Sequence, residues 1–148
     1  DDCAEEIGLD MESRGINFDY DNSVQKDVLV IADPEQLRKV INNIVGNSVK
    51  YLDKSPGHVA IKVTDIGDFI QCDISDNGCG VAKQDLTRIF ERFYRTDQSR
   101  NSMRGGSGIG LSIVKKIIED HGRIWASSVE KEGLCIHFLL RKYFENRI

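Results

Sequence analysis

The stretch DPEQLRKVINNIVGNSVKY, beginning at Asp33, limits the possible folds more than any other part of the chain. Asp33 suits an N-cap, Pro34 suits the first helical position, and Glu35 meets the positive end of a helix dipole. Leu37, Val40, Ile41, Ile44, Val45, Ser48 and Val49 then recur at spacings of three and four. A helix starting at Pro34 and continuing to about Tyr51 must therefore bury one wide stripe. Before it, VLVIA at residues 28–32 reads as a buried strand. After it, HVAIKVTDI and FIQCDISDN alternate apolar and polar residues on either side of Gly67-Asp68, the pattern of a hairpin. A helix packed on an antiparallel sheet satisfies both patterns.

The rest of the chain fits that layer plan. Cys3, Ile7 and Met11 give residues 2–14 a weak helical period, closed by Gly15 and Asn17 before an extended stretch at 16–20. Residues 83–90 read as a short helix leading into FERFYRTDQSR and NSMRGG. Within these, residues 96–104 lack periodicity and have Met103 as their sole apolar anchor, so they read as a loop. GSGIGLSIVKKIIEDHG is a glycine loop feeding an amphipathic helix that stops at Gly122, and RIWASSV and LCIHFLLR form a second hairpin. The order α, β, β, α, β, β, α, β, β predicts an α+β fold, a mostly antiparallel sheet with its helices on one face, over a parallel doubly wound sheet.

Composition narrows the function classes. The 148 residues, 40% hydrophobic and 30% charged, suit one domain with its own core. Twenty Lys and Arg against 24 Asp and Glu leave a net charge of -4, which argues against a nucleic-acid partner. No apolar run reaches the roughly 20 residues that span a bilayer. The opening DDCAEEIGLD lacks the basic and apolar parts of a signal peptide. Cys3, Cys72, Cys79 and Cys135 form no CxxC pair and have no His at zinc-finger spacing, so they read as reduced, partly buried thiols suited to the cytoplasm.

Four clusters carry possible chemistry, each with a plain alternative. Asn43, Asn47, Lys50 and Tyr51 share one helix face; two mid-helix asparagines are either solvent-facing amides or hard oxygen ligands suited to Mg²⁺. Asp76-Asn77-Gly78-Cys79-Gly80 after a strand is either an ordinary turn or an acceptor for an exocyclic amine beside glycines that admit a planar ligand. Gly105-Gly106-Ser107-Gly108-Ile109-Gly110-Leu111 runs into a helix start that can aim N–H groups at phosphate oxygens, yet it is neither a Walker A loop nor a dinucleotide fingerprint. Arg88, Arg92, Arg95, Arg100 and Arg104 either cover phosphates or solvate a surface. Together the four imply one Mg-nucleotide site.

In order along the chain, DPEQLRKVINNIVGNSVKY, DNGCG, RIFERFYR and GGSGIGLSIVKKIIEDHG resemble the N, G1, F and G2 boxes of the ATP-binding catalytic domain of sensor histidine kinases. That domain belongs to the superfamily of the gyrase, Hsp90 and MutL ATPases. The resemblance implies the Bergerat two-layer sandwich, a five-stranded, mostly antiparallel mixed sheet with three helices on one face. It implies ATP and Mg²⁺ as cofactors, with Asn47 as metal ligand, Asn43 one turn earlier, Lys50 near the phosphates and Tyr51 near the adenine. Asp76 would accept from the adenine amine, Gly78, Gly80 and Val81 would shape the purine pocket, and Phe90 and Phe93 would anchor an ATP lid at about 95–107. Gly106, Ser107, Gly108, Ile109, Gly110 and Leu111 would close over the triphosphate, and Arg88 and Arg95 would meet the γ-phosphate.

By the same resemblance the phosphoryl group passes to a histidine on a helical dimerisation and phosphoacceptor domain expected upstream of Asp1, and from there to a response regulator receiver domain. The isolated domain is expected to be a monomer and the whole kinase a homodimer, either soluble or anchored in the plasma (inner) membrane. His58, His121 and His137 lie in a turn, at a helix end and in a strand, so none has the helical context of a phosphoacceptor. The gyrase-type ATPases carry a glutamate base where this chain has Asn43, which a neutral amide cannot replace; a non-catalytic nucleotide-binding or docking module is the other alternative. Three positions depart from the family pattern, His121-Gly122-Arg123, Gly133-Leu134 and Leu140-Arg141, and all three are expected to lie away from the nucleotide site.

Overall fold

The computed structural model describes residues 2–91, 110–120, 122–129 and 131–143. In chain order it contains α1 (Asp2–Ser13), β1 (Asn17–Asn22), α2 (Pro34–Lys50), β2 (His58–Asp65), β3 (Phe69–Asp76), a 3-10 turn (Lys83–Asp85), α3 (Gly110–Glu119), β4 (Ile124–Val129) and β5 (Gly133–Arg141). The five strands form one sheet in the order β1-β2-β3-β5-β4, with β1 and β2 parallel and every other pair antiparallel. The α+β sandwich expected from the pattern is the fold observed.

Local chemistry starts and stops the elements where the sequence indicates. The Asp33 carboxylate accepts from the Glu35 N–H at 2.9 Å and caps α2. In the β2–β3 hairpin the Ile66 N–H donates to the Phe69 carbonyl, and Gly67 takes a φ of +109° that few other residues adopt. The ladder sets Ile61 beside Ile74, Ile74 beside Ile136, and Cys72 beside Phe138, so these side chains share one face of the sheet. Against that face pack Ile7 and Met11 of α1, Val40, Ile44 and Val45 of α2, and Val114 and Ile118 of α3, forming a single core. The other face carries Asp73, Trp125, Ser127, Cys135 and His137, with no helix over it among the described residues.

Two expected elements differ. Residues 28–32 are not a buried strand: Val30 alone joins the sheet, through an isolated bridge to Lys142, while Leu29 and Ile31 are 61% and 49% exposed. β4 pairs with β5 no further than Ile124 opposite Phe138, so only the last few backbone groups of β5 remain for this segment, enough for a bridge and not a strand. A short apolar run does not reveal how much partner edge awaits it. The helix expected at 83–90 is a 3-10 turn followed by further turns to Phe90. Burial is concentrated at Ile89 and Phe90, so the segment lacks a stripe that would reward a longer helix.

Candidate functional site

Asp76 is the last residue of the central strand β3 and stands opposite Val59, so strand alternation places it on the helix-bearing side, at the end of the sheet where α2 ends. Its carboxylate accepts from the Gly78 N–H at 2.8 Å, and also from the Ser48 hydroxyl and the Leu134 N–H. Burial raises its pKa above 3.8, against the opposing pull of those three donors and of Lys54. Ser48 is 2% exposed, a buried polar residue in the middle of an apolar stripe. Sequence periodicity counted it as part of that stripe; a small hydroxyl among Ile and Val was the one available sign of a polar partner below the helix.

The turn after β3 is held by its own backbone. A Cβ on Gly78 would lie 2.5 Å from the Tyr51 carbonyl oxygen, and one on Gly80, whose φ is +69°, would lie 2.6 Å from the Val129 carbonyl oxygen. The Cys79 N–H donates to the Tyr51 carbonyl. Lys54 donates from Nζ to the carbonyls of Asn77, Gly78 and Lys131 at 2.6–2.9 Å, tying the end of α2, the turn and the β4–β5 connection together. Asn77 accepts from the His58 N–H through Oδ1 and donates through Nδ2 to the Pro56 carbonyl. Neither Lys54 nor Asn77 stood out as a scaffold residue in the sequence, because their partners are backbone atoms that no residue pattern reveals.

The remaining expected site residues fall into three groups. Asn43, Asn47 and Lys50 lie half-buried on α2, followed by Tyr51 at its C-cap. Asn43 donates from Nδ2 to the Lys39 carbonyl at 2.9 Å, which reserves its oxygen for another partner, and the Lys50 ammonium lies 5.5 Å from the Tyr51 ring centre. Val81 donates its N–H to Ser128 Oγ, Phe90 and Leu111 are buried in the core, and exposed Arg88 lies 3.4 Å from Glu91. Gly110 opens α3, which packs against α2. Phe93, Arg95, Gly106, Ser107, Gly108, Ile109, His121 and the whole expected lid at 95–107 lie outside the described residues. Gly133-Leu134 corrects one expectation: it borders the G1 box in space. A Cβ on Gly133 would lie 2.0 Å from the Asp76 carbonyl oxygen, and Leu134 donates to the Asp76 carboxylate. A cavity of about 580 Å³ between α1, α2 and the sheet contains none of these residues.

The family described as histidine kinase-, DNA gyrase B- and HSP90-like ATPases matches residues 32–143. This chain belongs to that family. It is 37% identical over 122 residues to the sensor histidine kinase WalK of Bacillus subtilis (strain 168), an alignment covering 80% of this chain and 20% of the relative. It is 38% identical over 119 residues to the sensor protein kinase WalK of Staphylococcus aureus, covering 78% and 28%. The chain thus spans between a fifth and somewhat over a quarter of the length of these relatives. Among solved structures, the mycobacterial sensor histidine kinase MprB superposes with a TM-score of 0.80 at 26% identity, over 95% of this chain and 94% of that one. Full-length ShkA in complex with AMPPNP superposes with a TM-score of 0.79 at 27% identity, over 96% and 29%. The domain is therefore of the histidine-kinase ATP-binding type. Among the described residues no helix is long and apolar enough to cross a membrane.

Proposed function

We propose that this domain binds Mg-ATP between α2, the turn after β3 and the start of α3, and delivers the γ-phosphoryl group to a histidine on a separate helical dimerisation and phosphoacceptor domain. The observation that carries this reading is Asp76, a half-buried carboxylate held by Ser48, Gly78 and Leu134 at the end of β3, where an adenine amine needs an acceptor. Tyr51, Gly78, Gly80 and Val81 bound the purine, and Phe90 and Leu111 anchor the flanking segments in the core. The AMPPNP bound by the ShkA relative supports the same ligand class here.

The donor set suits the cofactor. Asn43 and Asn47 offer neutral amide oxygens one turn apart, hard ligands of the kind Mg²⁺ accepts alongside water and phosphate. Lys50 adds a cation on the same face, and the positive end of the helix dipole at the start of α3 favours phosphate oxygens. Bound Mg-ATP supplies the phosphoryl group and part of the charge compensation. The chain's residues orient it, which is the larger part of what phosphoryl transfer requires. Asn47 is assigned to the metal, Arg88 and Arg95 to the γ-phosphate. Asn43 cannot take a proton from water, so the nucleophile and its base come from the acceptor domain. This favours phosphotransfer over ATP hydrolysis and makes a response regulator receiver domain the downstream partner.

Labelled ATP tests the proposal. With its helical acceptor domain, the chain should form acid-labile, base-stable phosphohistidine on that partner, while alone it should hydrolyse ATP negligibly and label none of its histidines. Asn47→Ala should abolish transfer and His137→Ala should leave it nearly intact. Ordinary ATP turnover by the isolated chain would install the ATPase alternative.

A further inference from the structure

The sheet face that carries no helix among the described residues holds a cluster that the nucleotide site does not use. Asp73 on β3 pairs in register with His137 on β5, and Cys135 lies two residues before His137 on the same face. Their carboxylate oxygen, imidazole nitrogen and thiol sulfur all lie within 4.8 Å of one another. His137 Nδ1 is 2.5 Å from Asp73 Oδ1 and 3.7 Å from Cys135 Sγ. In a tetrahedral site with Zn–S of about 2.3 Å and Zn–N of about 2.1 Å, sulfur and nitrogen stand about 3.6 Å apart. The Cys135–His137 spacing is already that of two ligands on one ion. The shorter Asp73–His137 contact is the hydrogen bond that an ion would replace, opening it to about 3.3 Å.

The surrounding groups orient these donors. His137 Nε2 lies 2.8 Å from Ser127 Oγ, so a ring that binds through Nδ1 can donate its remaining N–H to that hydroxyl. Trp125 stacks on the ring with centroids 5.1 Å apart, and Gln71 Nε2 donates to Asp73 Oδ1 at 2.9 Å. The His137 and Asp73 side chains are 17% and 19% exposed, sheltered yet reachable from solvent.

We propose that Asp73, Cys135 and His137 bind one divalent, borderline-soft cation of the Zn²⁺ class, with the fourth coordination position open to solvent. Mixed sulfur, nitrogen and oxygen ligation selects such an ion over Mg²⁺, which prefers oxygen alone. Binding forms three metal–ligand bonds, sends the Cys135 thiol proton to solvent, and moves the single imidazole proton from Nδ1 to Nε2. The thiolate and the carboxylate then balance the two positive charges.

Titration of the metal-free domain with Co²⁺, followed by absorption, tests the site. One equivalent should produce an intense near-ultraviolet thiolate-to-cobalt band, which Zn²⁺ then bleaches. Cys135→Ser should remove the band, and Asp73→Asn and His137→Gln should each weaken binding at least ~10-fold, while all three variants keep ADP binding as a check on folding. The site is refuted by no thiolate band, by a band that persists in Cys135→Ser and so arises from another cysteine, or by unchanged affinity in His137→Gln.

Discussion

Asp76 gathers the chemistry of the nucleotide end into one side chain, and its charge works against the fold. Because burial raises its pKa above 3.8, the native chain takes up a proton there at a higher pH than the unfolded chain does. The stabilisation from this proton is fully present below the unfolded pKa and is lost as pH rises through the native pKa. Relative to Asp76→Asn, the wild-type domain should therefore gain stability on going from about pH 7 to about pH 4. Urea unfolding of both proteins at the two pH values measures this, and a constant difference contradicts it. The same carboxylate should matter to the ligand. Asp76→Ala leaves the adenine amine without its acceptor, at a cost of roughly 1–3 kcal/mol, or about 5- to 150-fold in ATP affinity by calorimetry.

Helix α2 joins the two halves of the molecule's work. One stripe of it, Val40, Ile44, Val45 and Ser48, is buried, and the neighbouring stripe presents Asn43, Asn47 and Lys50. Its end is tied to the purine-side turn by Tyr51 and by Lys54. Lys54 is about 40% exposed, so solvent screens its three hydrogen bonds and Lys54→Ala should lose only about 1 kcal/mol of global stability. Its local effect should be larger: amide exchange at Asn77 and Cys79 should accelerate while the centre of β3 stays protected. Uniform acceleration along β3 would mean that Lys54 supports the whole sheet instead.

The molecule as a whole has one core under one sheet face, and Phe138 lies at its centre with 0% exposure. Phe138→Ala should cost about 3–5 kcal/mol, a large share of the 5–15 kcal/mol that holds a typical domain. All three helices of the described residues rest on that face, so thermal unfolding of the variant should remain one transition at a lower midpoint. A second, separate transition would divide the domain into independent halves. The concentration of helices on one face also leaves the other open among the described residues, which is why a site of different chemistry can occupy it without disturbing nucleotide binding.

Short-range patterns carried most of the architecture. The cap at Asp33, the stripe of α2, the Gly67-Asp68 turn and the alternation in β2, β3 and β5 are each settled within a dozen residues, so they are legible in the chain. The four boxes likewise marked Asn43, Asn47 and Asp76 before any geometry was known. What stayed hidden depends on partners far apart in sequence. Residues 28–32 have the composition of a strand, but the free length of β5 edge reduces them to a bridge at Val30. Ser48 reads as filler until β3 brings Asp76 beneath it. Gly133-Leu134 looks remote from the G1 box until the β3–β5 ladder sets it against Asp76. Cys135 and His137 gain Asp73 as a third donor only through that same ladder, across 62 residues of chain. Local periodicity records what each residue prefers, whereas pairing register decides which residues meet.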